Sequence, residues 1–83
     1  MFYKVQAVQT LPDFNLLIDF QNGERKQYQI QPLFEKWEQF KALTLVKGLF
    51  EQVKIDVGGY GISWCDEIDL SCNELYDNGL EVK

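Results

Sequence analysis

Two periods organise the apolar positions of this chain. Val53, Ile55 and Val57 alternate with polar residues, as do Tyr60, Ile62 and Trp64, which is the period of strands with one buried face. Gly58-Gly59 stands between them. A two-residue turn there opposes Val57 to Tyr60, Ile55 to Ile62 and Val53 to Trp64, so each apolar pair shares a face and the segment is predicted to be a hairpin. The glycines at 58–61 then serve a turn and not a phosphate cradle, which would need Gly-Lys-Ser/Thr opening a helix.

The first third of the chain predicts three strands. Residues 2–9 are rich in Val and aromatics and run into Thr10-Leu11-Pro12-Asp13, where Pro fixes φ and Asp supports a reversal. The next strand spans Phe14 to Phe20, and Asn22-Gly23 signals a second turn. A two-residue loop would set Leu16 against Gln29 and Ile18 against Gln27. The three-residue loop Gln21-Asn22-Gly23, with Gly23 left-handed, instead sets Leu16 against Tyr28, Phe14 against Ile30 and Asp19 across from Arg25. The second register is the one expected.

Pro32 suits a helix start, although Gln31 is a poor cap. Leu33, Phe34, Trp37, Phe40 and Leu43 then recur at three- and four-residue intervals, which predicts an amphipathic helix on a sheet. The β-branched exit Thr44-Leu45-Val46 predicts a break before a short turn around Lys47–Glu51. Ser71 and Glu74 form a capping box for a short helix from Cys72 to about Tyr76 or Asp77, with Leu70 and Leu75 at staple positions and a left-handed stop near Asn78-Gly79. Residues 80–83 read as a tail or a short edge strand. The fold class predicted is α+β: one domain, residues 1–83, with a mostly antiparallel sheet of about five strands in β-β-β-α-β-β-α order and helices on one face.

Charge changes the picture of what such a domain can do. Thirteen acids against eight bases give a net charge of −5, which opposes direct nucleic-acid binding. Six of the acids and seven of the bases fall in residues 1–55, whereas Asp56, Asp66, Glu67, Asp69, Glu74, Asp77 and Glu81 face only Lys83 in the rest. One end of the molecule carries a negative field, suited to solubility or to a basic partner. The absence of His removes most Ser-His, Cys-His and zinc chemistry. Cys65 and Cys72, outside any CxxC motif, read as two structural thiols. The opening residues lack the pattern of a signal peptide and no apolar run suffices for a membrane span, so the expected compartment is the cytoplasm.

Asp66, Glu67 and Asp69 invite a metal reading, but calcium-loop spacing is missing, so solvated carboxylates are expected and neither metal nor cofactor is implied. Ser63 and Ser71 have no imidazole to activate them, and Ser71 is better used as a cap.

The run Leu11-Pro12-Asp13-Phe14-Asn15-Leu16-Leu17-Ile18-Asp19-Phe20-Gln21-Asn22-Gly23, then Gln31-Pro32-Leu33, Trp64, Asp69-Leu70 and Leu75-Tyr76 resembles the small bacterial domain-of-unknown-function family 2442 over nearly the whole chain. Gln29, Cys65 and Glu67 depart from the acidic residue, Pro and Gly usual there. The resemblance implies an α+β domain without known catalytic residues, of a family frequently encoded beside a second small gene, such pairs being proposed as toxin–antitoxin modules with this family as the antitoxin. Relatives with an added helix-turn-helix domain exist, but this chain leaves no length for one.

The expected function is therefore non-catalytic: binding of a small basic toxin, with Asp66, Glu67, Asp69, Tyr76 and Asp77 as contacts and a homodimer through open sheet edges as a further option. The runner-up is a small ligand-sensing or regulatory module whose pocket is lined by Trp37 and Trp64, and an enzyme ranks third.

Overall fold

The computed structural model describes residues 3–82. Its first sheet is a meander of β1 (Val5–Leu11), β2 (Asn15–Phe20) and β3 (Arg25–Gln29), closed by β7 (Leu80–Glu81) in the order β1-β2-β3-β7. The second sheet is β4 (Lys54–Ile55), β5 (Gly61–Cys65) and β6 (Ile68–Ser71), in chain order. Every pairing is antiparallel. The class is α+β, as the sequence predicts, with the strands divided between two sheets of four and three instead of one of about five. β6 is the addition, and β7 is the short edge strand offered as one reading of residues 80–83.

The β2–β3 turn has the expected form. Leu16 opposes Tyr28, Asp19 opposes Arg25, and Gly23 takes φ +92° while its N–H donates to the Phe20 carbonyl. Parity decides this register, because Leu16, Ile18, Phe20 and Tyr28 all reach the core, where each is at most 4% exposed. Phe14 belongs to the preceding turn and not to the strand. It sits at φ +59°, a strained setting for a bulky residue, held by the Ile30 N–H on its carbonyl and by edge contacts of its ring with Phe34 and Phe50.

The helical segment is broken where the sequence predicts continuity. α1 (Gln31–Lys36) has no side-chain cap and ends at Trp37, whose backbone is extended, and a 3₁₀ turn at Glu38–Lys41 leads into α2 (Ala42–Leu45). Spacing of three and four residues is common to α and 3₁₀ turns, so the apolar stripe survives the break and conceals it. The consequence is a division of labour: Phe40 enters the core, 6.2 Å from the Trp64 ring, while Trp37 stays half-buried at the surface. The break after α2 is as predicted, with Val46 extended, Gly48 at φ +82° and a 3₁₀ turn at Phe50–Gln52.

The β4–β5 register matches the alternation, Ile55 opposing Ile62, but the connection is longer than two residues. The ladder ends where the Asp56 N–H meets the Gly61 carbonyl, and Val57–Gly59 forms a 3₁₀ turn that leaves Val57 96% exposed instead of facing the core. Gly59 explains the form. Its φ is +80°, and a Cβ there would stand 2.7 Å from the Val5 carbonyl, so the backbone of the turn packs directly onto β1.

α3 (Cys72–Asn78) starts as its capping box predicts, the Ser71 hydroxyl accepting from the Glu74 N–H at 3.1 Å. Its end differs from expectation. Gly79 has φ −77°, and what demands glycine is space, since a Cβ would lie 2.5 Å from the Leu75 carbonyl and 3.1 Å from the Lys26 Cβ. One core results, with Ile18 and Tyr28 from one sheet, Ile62 and Trp64 from the other, and Leu75 from α3 in a single buried cluster.

Candidate functional site

The acidic C-terminal stretch folds into two settings that differ in how its polar groups are used. On α3, Glu74 and Tyr76 are engaged. The Glu74 carboxylate turns away from the second half of its capping box and accepts instead from the Tyr28 hydroxyl and the Asn78 amide, each at 2.8 Å. Burial and then this bond to Glu74 raise the Tyr28 pKa above the ordinary tyrosine range.

Tyr76, expected as a partner contact, is built into the framework. Its ring stacks on Tyr3 at 3.6 Å and meets the edge of Phe20 at 5.2 Å, while the Lys26 ammonium lies 3.8 Å from its centroid. The same ammonium donates to the Tyr76 carbonyl at 2.6 Å, and the nearby Glu24 carboxylate leads the causes that push the Tyr76 pKa up to about 12. Together these contacts fasten α3 to the turn end of the β2–β3 hairpin.

Asp56 accepts from the Ser63 hydroxyl at 2.7 Å, whereas four other acids make no such contact among the described residues. Asp66 and Glu67 form the exposed turn between β5 and β6, Asp69 points outward from β6, and Asp77 is exposed on α3. Among the described residues the one ion pair is Asp19–Arg25, at 2.6 Å on the other sheet. Among the described residues, no cation and no side-chain donor sits on Asp66, Glu67, Asp69 or Asp77.

A groove of about 330 Å³ runs beside β6. The buried Phe40 and Leu70 form its floor, and Trp37, Gln39, Asp69, Ser71 and Glu74 complete its lining. Only Asp69 among these is an expected contact. Glu74 and Ser71 are obscured by their capping pattern, and the position of Trp37 follows from the helix break, for which the spacing carries no signal. Trp64 lines no part of this groove: it is 5% exposed and its indole N–H donates to the Phe50 carbonyl at 2.9 Å, so the pair of tryptophans does not form a pocket. Cys72 is buried and Cys65 exposed, both as free thiols.

Among the described residues no cluster of three or more His, Cys, Asp or Glu is arranged to hold a metal ion, and no helix is long and apolar enough to cross a membrane. The sequence pattern described as "Protein of unknown function (DUF2442)" matches residues 5–81. No curated protein and no solved structure matches the chain.

Proposed function

The chain belongs to the DUF2442 family of proteins of unknown function, and from that membership we propose that it is a non-catalytic cytoplasmic antitoxin that neutralises a small basic toxin by direct binding. The observation that carries the reading is that Asp66, Glu67, Asp69 and Asp77, on one acidic stretch of the sequence, have no ion-pair partner among the described residues. Opposite fields accelerate encounter and select against partners of the wrong sign, and carboxylates already exposed lose little hydration until the partner arrives. Tyr76 acts behind this surface, holding α3 in place.

The test is capture of the tagged chain from its host followed by native mass spectrometry, then growth rescue by co-expression with whatever small basic protein is found. A stoichiometric partner that arrests growth alone and not together with this chain supports the reading. Charge reversal at Asp66, Glu67 and Asp69 should then weaken the complex and flatten its salt dependence; unchanged affinity removes this surface, and a purified chain with no such partner removes the function.

A further inference from the structure

The mode of binding is legible in the backbone of β6. The Cys72 N–H donates to the Tyr60 carbonyl, which marks that pair as hydrogen-bonded in the β5–β6 ladder. Antiparallel ladders alternate, so Ile62–Leu70 is bonded in turn, while Ser63–Asp69 and Gly61–Ser71 are not. The N–H and C=O of Asp69 and the N–H of Ser71 consequently point away from β5. β6 is the border of its sheet, and the groove beside Trp37 lies along it. The first sheet is treated differently, since its β3 border is covered by β7 from the same chain.

We propose that β6 is a docking edge to which a basic extended segment of the partner protein adds as an antiparallel fourth strand. Charge complementarity identifies the occupant. Directly opposed residues share a face, so the residue set against Asp69 emerges on the solvent face beside an unpaired carboxylate and is Lys or Arg. Its two neighbours turn the other way, over the apolar floor of Phe40 and Leu70 beside Trp37, and are apolar. The segment recognised has the pattern basic-apolar-basic-apolar-basic, with main-chain bonds giving affinity and the alternate side chains giving specificity. This rests on the partner-binding reading above and adds its site and geometry.

The probe is the blocked peptide Thr-Lys-Leu-Lys-Leu-Lys-Thr, titrated into the full isotope-labelled chain and followed by amide and indole NMR shifts. Expected are saturable shifts centred on Asp69, Ser71 and the Trp37 indole, at least tenfold weaker binding with Asp69→Lys, and an intermediate loss with Asp69→Asn, which keeps the size of the exposed side chain. Backbone direction supplies the sharper control. N-methylation of the lysines, whose N–H groups face β6, should abolish binding, whereas N-methylation of the leucines should be tolerated.

Shifts elsewhere, equal effects of the two methylated peptides, or no binding would overturn the proposal. So would concentration-dependent shifts at Asp69 without peptide, which would give the edge to a second copy of this chain. If the captured partner responds to Asp66 and Glu67 reversal while β6 amides do not move, the docking mode fails and the antitoxin reading stands. A peptide held at β6 by a chain that rescues no cell leaves the edge and removes the antitoxin.

Discussion

The two sheets of this molecule treat one strand each, β3 and β6, in opposite ways. In the four-stranded sheet, Lys26 donates to α3 and caps an aromatic ring, Tyr28 is bonded to Glu74, and β7 covers the β3 border. In the three-stranded sheet, β6 is an outer strand whose outward amides and Asp69 carboxylate have no partner among the described residues. The difference separates polar groups that hold the fold from polar groups that remain available, and it places the candidate surface on the second set. Acidity alone would not do so, because Glu74 and Asp69 share a groove and differ entirely in what already binds them.

The contrast can be broken most forcefully at the residue common to both sides. Leu75 is fully buried in the shared core, and Leu75→Ala should cost about 2–5 kcal/mol, with both sheets lost in one urea transition by tryptophan fluorescence and far-UV circular dichroism. Two separated transitions would mean two independent units. Gly79→Ala comes next, at about 1–3 kcal/mol, because the new methyl has to displace Leu75 or Lys26; amide exchange at Leu80 and Glu81 should rise with it as β7 detaches.

Tyr28→Phe sharpens the engaged side. It removes a bond to a carboxylate in a half-covered site and should cost about 1–2 kcal/mol in denaturant titrations. Alkaline pH tests the same contacts. The folded pKa values of Tyr28 and Tyr76 lie above the ordinary 10, so the unfolded chain loses these protons first. Their stabilisation is intact below pH 10 and falls as pH climbs from there toward 12, a slope that Tyr28→Phe and Tyr76→Phe should each reduce. The smallest effect belongs to the available side: reversing Asp66, Glu67 and Asp69 should move stability by only about 0.5 kcal/mol each way, while changing partner affinity.

Much of this was legible where side-chain parity or a short local pattern decides. The Gln21–Gly23 loop, the Ile55–Ile62 register and the Ser71 cap each follow from residues a few positions apart. The break at Trp37 was not, because its cause lies in how Phe40 reaches Trp64, 24 positions along the chain. Gly79 likewise answers to Lys26 across the fold as well as to the Leu75 carbonyl of its own turn. The acids of the candidate site could be named from composition, but the openness of β6 depends on which strand lies beside which, and neither charge nor periodicity encodes that.

The closure of β3 by β7 also sets an order of events during folding. Lys26 and Glu81 meet across 55 residues, whereas the turns joining β1, β2 and β3 close over three residues each, so loop entropy favours the meander first and β7 late. Until then β3 is itself a bare border, exposed to pairing between chains. Its sequence, Arg25-Lys26-Gln27-Tyr28-Gln29, carries two adjacent cations and no β-branched residue, a composition that discourages such pairing while the last strand is still on its way.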